Sequence, residues 1–110
     1  MEDPRPIAIF GLHALSNLQS GTIGYSSGPA FAAVDQFIIN VKGKQAHGAS
    51  PEKSNAPIVM ASEIVTALQT IRSRSLNPRE PSVVTVGIIR GGNRFNIIPA
   101  EVYLEGTVRT

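Results

Sequence analysis

The sequence predicts an α+β fold in which one helix packs on one face of an antiparallel sheet. Three observations predict it: an alternating strand over Gln36–Lys42, a helix with an apolar stripe, and two further β-branched strands. The order strand, helix, strand, strand is typical of an open-faced sandwich. One helix covers about 10–12 Å of sheet width. Three strands spaced about 4.8 Å apart expose a wider face than that. A second helix or a partner is therefore expected to complete the cover.

The strands are predicted from alternation of apolar and polar side chains. In Gln36–Lys42, the side chains of Phe37, Ile39 and Val41 face one way and the others face the opposite way. Val83–Ile89 is rich in β-branched residues. In Glu101–Arg109, apolar and polar side chains alternate again. The last two strands flank a turn at Gly91 and Gly92.

The helix is predicted from its start signal and its periodicity. Asn55 is the expected N-cap, and Pro57 is tolerated in the first turn. The helix is expected to end before Asn77 and Pro78. One apolar stripe repeats at three- and four-residue spacing: Ile58, Ala61, Ile64, Val65, Leu68 and Ile71.

The first thirty residues are expected to form a segment distinct from a main domain over residues 31–110. Ile7–Phe10 is an apolar run closed by Gly11, which indicates a buried strand that delivers His13 to a loop. Gly21–Pro29 contains three glycines and a proline, as expected of a tight hairpin or a connector.

The composition bounds the class of protein. With 110 residues, 42% of them apolar, the chain suits one globular domain. The net charge is only +2, and no segment alternates basic residues with aromatic ones, which argues against nucleic-acid binding. No apolar run approaches the roughly 18–20 residues of a membrane span. The absence of cysteine and of a signal-like apolar core at the start makes the cytoplasm the default location.

The polar residues that could carry chemistry are few. Considered alone, each of the two histidines, His13 and His47, is more often a packed or solvated side chain than a metal ligand. Asn96 precedes Pro99 in an extended turn, where an asparagine is expected to satisfy local backbone groups. Arg109 is either a solvent-facing cation or a carboxylate-binding group. Residue chemistry alone leaves these alternatives open.

Nine segments taken together resemble the hippurate hydrolase and indole-acetyl-amino-acid hydrolase group of metal-dependent aminoacylases. They occur in family order over nearly the whole chain: IFGLHA, GTIGY, GPAFAAVDQF, VKGKQAHGASP, APIVMAS, ALQTIRSR, EPSVVTVG, GGNRFNIIP and EVYLEGTVR. The chain departs from the family pattern at Gln19, where a proline is usual, and at Ala56, where an aspartate is common.

The resemblance implies part of a homodimeric amidohydrolase that cleaves the amide bond of small N-acyl amino acids or peptides. Such enzymes combine a catalytic domain holding two divalent metal ions, zinc or manganese, with a ferredoxin-like dimerisation domain of four strands and two helices. Residues 1–30 then correspond to the end of a catalytic segment, and residues 31–110 to a dimerisation domain whose second helix and fourth strand would follow Thr110. The dimer is expected to form through the helix and an edge strand, without nucleic acid or membrane as a partner.

The resemblance also assigns roles to four residues. It implies that His13 is a metal ligand and that His47 reaches the partner's active site to stabilise the oxyanion. It implies that Asn96 and Arg109 bind the substrate's carboxylate or the intermediate. The remaining metal ligands and the catalytic glutamate fall outside this chain, which is therefore expected to bind no metal and to be inactive alone.

The alternative hypothesis is a free-standing α+β module without catalysis. Such a module would associate with itself or with another protein through its helix or an exposed strand edge.

Overall fold

The structure is a computed structural model that describes residues 4–110. The described residues up to Ala30 form one compact unit, and Phe31–Thr110 forms a second. Among the described residues, the helices and strands all lie in the second unit. They are β1 Val34–Lys42, β2 Ala46–His47, a 3-10 helix Pro51–Lys53, α1 Pro57–Thr70, a π-helical turn Ile71–Ser75, β3 Val83–Gly91, β4 Ile97–Ile98 and β5 Glu101–Arg109. None of the helices within residues 4–110 has the length and apolar content to cross a bilayer.

The main sheet has three antiparallel strands in the order β1-β5-β3. The α+β prediction is confirmed, and β5 has the predicted bounds. The last strand in sequence is the central one, so β1 and β3 both pair with β5 and not with each other. A register shift between Val86 and Ile88 places a bulge in β3.

The core lies between α1 and one face of this sheet. Val41, Val102 and Leu104 of the sheet and Ala61 of the helix are buried, and Leu104 and Ala61 are fully so. Fully burying a valine or leucine side chain contributes roughly 1.5–3 kcal/mol. Several partly buried residues surround this cluster: Ile39, Met60, Ile64, Val65 and Val86.

Two predictions about the start of α1 are wrong. The N-cap is Ala56, which makes no side-chain capping bond, and not Asn55. The carbonyl oxygen of Asn55 instead accepts a hydrogen bond from the amide of Lys44 at 3.2 Å, which holds Asn55 in a β-bridge outside the helix. Ile58, predicted in the apolar stripe, is 48% exposed because Pro57 occupies the buried position beside it.

The chain after α1 changes from α-helical to π-helical winding over Ile71–Ser75. The amide of Leu76 donates to the carbonyl oxygen of Ile71 at 3.1 Å, which closes this last turn. Helical structure therefore ends before Asn77 and Pro78, as predicted.

The predicted strand over Ile7–Phe10 is wrong. These residues are not in a strand, and Ile7, Ile9 and Phe10 are among the most exposed apolar side chains. A strand requires a hydrogen-bonded neighbour, and no strand lies within residues 4–30. Over Gly21–Pro29 the chain is a connector that begins at a turn, in which the amide of Thr22 donates to Gln19 and Gly21 has φ of 83°.

Candidate functional site

His47 and Asn96 lie on adjacent segments of a short ribbon at one end of the sheet. β2 and β4 pair antiparallel, with His47 opposite Ile97. The amide of Gly48, the residue after His47, donates to the carbonyl oxygen of Asn96 at 2.7 Å. The ribbon is tied to the sheet where the amide of Gly43 donates to Ala100 at 2.7 Å. Two of the predicted site residues are thus brought together by backbone pairing.

The imidazole of His47 is held in one tautomer. The amide of Ala49 donates a hydrogen bond to Nδ1 of His47 at 3.1 Å, so Nδ1 carries the lone pair. The proton of the neutral ring is then on Nε2. The side chain is exposed, and it therefore presents an N–H donor at its far end.

Asn96 is displayed on a tight turn. The amide of Ile97 donates to the carbonyl oxygen of Arg94 at 3.3 Å, which makes Phe95 and Asn96 the two central residues of a β-turn. Asn96 is exposed. Its side-chain amide offers donors and an acceptor on the segment whose backbone pairs with that of His47 and Gly48.

Arg109 lies far from these two residues. It is the last residue of β5, opposite Val34 and Val83, whereas the ribbon is at the other end of the same strand. At about 3.4 Å per residue the nine-residue strand separates the ends by about 27 Å. The structure does not bring Arg109 into one site with His47 and Asn96.

His13 belongs to the other compact unit, where a backbone carbonyl orients its ring. Its Nδ1 is 2.8 Å from the carbonyl oxygen of Ala14. A carbonyl oxygen only accepts, so Nδ1 is the donor in this contact. A ring oriented by such a bond is the usual state of a metal-ligating histidine. Across residues 4–110, His, Cys, Asp and Glu side chains nowhere gather in threes to hold a metal ion.

A polar cluster that the sequence did not predict lies on the sheet face opposite α1. The carboxylate of Glu105 accepts hydrogen bonds from the hydroxyl of Tyr103 and from the side-chain amide of Gln36, both at 2.5 Å. These bonds, together with the charge of Arg90, lower the pKa of Glu105, and the bond to Glu105 raises the pKa of Tyr103. Alternation places Tyr103 and Glu105 on one face, but the contact with Gln36 depends on the register between β1 and β5.

Residues 33–110 match the family model of the peptidase dimerisation domain. Among characterised proteins, the chain is 48% identical over 103 residues to N-acetyl-L-cysteine deacetylase of Bacillus subtilis (strain 168), covering 94% of the chain and 25% of that protein. It is 42% identical over 106 residues to N-acetyldiaminopimelate deacetylase of Leuconostoc citreum (strain KM20), covering 96% of the chain and 27% of that protein.

Solved structures share the fold. A protein from methicillin resistant Staphylococcus aureus superposes with a TM-score of 0.69 at 46% identity, over 71% of this chain and 21% of that one. The Bacillus subtilis YXEP protein, a dinuclear metal binding peptidase from the M20 family, superposes with a TM-score of 0.58 at 35% identity, over 89% of this chain and 22% of that one.

The α+β fold of the second unit is the one that this dimerisation-domain model describes. The chain belongs to the peptidase dimerisation domain family of the M20 amidohydrolases. It spans about a quarter of the length of the curated relatives that it matches.

Proposed function

We propose that this chain is the dimerisation region of a metal-dependent amidohydrolase that cleaves the amide bond of N-acyl amino acids, and that His47 acts in the partner's active site. The observation that carries the proposal is the hydrogen bond from the Ala49 amide to Nδ1 of His47. It leaves Nε2–H as a donor on an exposed ring. The deacetylase relatives support the substrate class.

Such a donor accelerates amide hydrolysis. Attack of water on the amide carbonyl builds negative charge on oxygen, and a donor already in place lowers the energy of that state. Because the ribbon fixes His47 by backbone bonds, its N–H needs little reorganisation. Loss of one oxyanion donor costs about 2.7–4 kcal/mol. His47 thus lowers the barrier without binding metal.

His13 is proposed as a ligand of the metal ion that takes part in the same reaction. A divalent ion, zinc or manganese, supplies a Lewis acid and a nucleophilic water in such sites. His13 would contribute its imidazole to it, because the contact with the carbonyl oxygen of Ala14 orients the ring as in many metal-ligating histidines. A metal site needs three or four ligands, so we expect the isolated chain to bind metal weakly and to hydrolyse no substrate.

Under this proposal, residues at the two ends of the sheet belong to two different active sites. His47 and Asn96 are adjacent, whereas Arg109 lies about 27 Å away along the strand. A small N-acyl amino acid cannot touch both ends of one protomer. We therefore assign Asn96 to the partner's site together with His47. Arg109 is assigned to the carboxylate of the substrate in its own protomer's site.

The proposed homodimer forms through α1 and an edge strand. In the described sheet, β1 and β3 each keep one edge without a strand partner. An exposed edge strand pairs readily with another chain. On β3, Val83 and Ile89 are 49% and 57% exposed, which leaves apolar surface beside that edge for a second copy to bury.

Mixing two inactive variants of the full-length enzyme tests the arrangement. His13→Ala removes a metal ligand, and His47→Ala removes the donor to the partner. In a hybrid dimer, the site that keeps His13 receives His47 from the other subunit. Random exchange makes about half of the dimers hybrid, with one of two sites intact, so about a quarter of wild-type activity should return.

The measurement is the rate of amide hydrolysis before and after subunit exchange, with the metal content of each variant determined separately. His47→Ala should retain bound metal. Absence of recovery after exchange, with hybrid dimers demonstrated, would show that His47 serves its own subunit. Full activity of His47→Ala alone would remove the oxyanion role.

A further inference from the structure

Phe95 is a large apolar side chain with no cover. It is 103% exposed, more than any other phenylalanine in the dimerisation unit. Its backbone is nevertheless fixed at both sides of the turn. Ile97 donates to Arg94 at 3.3 Å, and Gly48 donates to the carbonyl oxygen of Asn96 at 2.7 Å. The ring is therefore presented in a defined place by an anchored ribbon.

The place is next to the proposed substrate contact. Phe95 and Asn96 are the central residues of the same turn, and their Cα atoms are about 3.8 Å apart. In an N-acyl amino acid, the side chain branches from the carbon that carries the carboxylate. If the Asn96 amide binds that carboxylate, the substrate's side chain branches one carbon from it, at a distance comparable to the spacing of Phe95 and Asn96.

The chemistry of the ring selects among side chains. A phenyl ring can bury about 150–250 Å² and contacts aliphatic and thioether groups favourably. An exposed ring gains this only if an apolar group covers it. A glycine moiety offers no such group. The turn therefore distinguishes apolar amino-acid moieties from small ones.

We propose that Phe95 is a specificity-determining residue that contacts the apolar side chain of the amino-acid moiety bound in the partner's active site. This inference rests on the proposed function, because it requires the ribbon to enter that site. It goes further by naming the favoured substrates: N-acetyl derivatives of amino acids with unbranched or branched apolar side chains, such as methionine and leucine.

The test compares kcat/KM of the full-length enzyme for N-acetylmethionine, N-acetylleucine and N-acetylglycine. Phe95→Ala should lower the first two roughly tenfold or more while the value for N-acetylglycine stays within about twofold. Phe95→Leu should keep most of the preference, because it retains an apolar group. Ile38→Ala, which removes a 55% exposed apolar group from the open face of the sheet, is the matched control and should leave the ratios unchanged.

The outcomes separate this inference from the function on which it rests. Hydrolysis of all three substrates with unchanged ratios in Phe95→Ala would overturn the specificity role alone. An equal fall for all three, with loss of dimer in sedimentation, would also overturn it and make Phe95 a subunit contact. A wild-type enzyme that hydrolyses none of the substrates would overturn both.

Discussion

The amide of Gly48 and the carbonyl oxygen of Asn96 are joined by a 2.7 Å hydrogen bond, which brings the two backbone segments into close contact. A Cβ atom at position 48 would lie 3.0 Å from that oxygen and 3.4 Å from Cα of Asn96. The distance between the His47 segment and the Asn96 turn thus depends on glycine at position 48. Both groups proposed to reach the substrate are positioned by this one contact.

Gly48→Ala is therefore expected to displace the Asn96 turn by a few tenths of an ångström. Misplacement of about 1 Å can cost about a hundredfold in rate, so a fall of about three- to tenfold in kcat/KM is expected for the full-length enzyme. The measurement is steady-state hydrolysis beside urea unfolding. Unchanged kcat/KM in a folded variant would show that the ribbon spacing does not matter for catalysis.

Glu105 should make the stability of the domain sensitive to acid. Hydrogen bonds from Tyr103 and then Gln36 lower its pKa below the ordinary value of 4.5. A group with a lowered pKa in the folded state contributes stability above its unfolded pKa, and that stability is lost as the pH falls through the folded pKa. Urea unfolding at about pH 6 and about pH 3 should show a smaller pH dependence for Glu105→Gln than for wild type.

Tyr103→Phe is the control for this effect, since it removes the first of these hydrogen bonds and leaves the carboxylate. Its pH dependence should lie between those of wild type and Glu105→Gln. Equal slopes for all three proteins would contradict the assignment of the stabilising contact.

Gly43→Ala should destabilise the fold. A Cβ atom there would overlap the carbonyl oxygen of Asn55 and lie 2.7 Å from Cδ of Pro57. Because both neighbours are part of a bridge and a helix start, they cannot move independently, and a loss of about 1–3 kcal/mol in the free energy of unfolding is expected. Gly87→Ala is a matched control within β3, where no atom lies within 4 Å of an added Cβ. Equal stability of the two variants in urea would contradict the crowding at Gly43.

Arg109 should behave differently from His47 in subunit exchange. Because it is assigned to its own protomer's site, Arg109→Ala mixed with His47→Ala should recover about a quarter of wild-type activity by the same statistics as above. Arg109→Ala mixed with His13→Ala should recover none. Recovery of activity in the mixture of Arg109→Ala with His13→Ala would show instead that Arg109 reaches the partner's site.

The sequence predicted those parts of the fold that depend on local periodicity. Alternation of Phe37, Ile39 and Val41 located β1, and the same pattern gave β5 its bounds. The order of the strands did not follow, since it depends on which strands pair over long distances. The two-residue strands β2 and β4 are too short for any period to indicate.

The site was predictable only in part for the same reason. Segment resemblance singled out His47 and Asn96, but their adjacency arises from pairing between β2 and β4. Arg109 is separated from His47 and Asn96 because it lies at the far end of β5. The Asn55 cap was wrong because a bridge to Lys44 holds the residue outside the helix, which no local signal indicates.

The central position of β5 has a consequence for biosynthesis. As the polypeptide leaves the ribosome from its N-terminus, β1 and β3 emerge before the strand that both require as a partner. Until Glu101–Arg109 is synthesised, two β-branched segments remain unpaired and prone to aggregate with other nascent chains. Pairing over such long sequence separation is also slow to form. Translation pauses before Glu101 should therefore lower the yield of folded protein far more than pauses after Arg109.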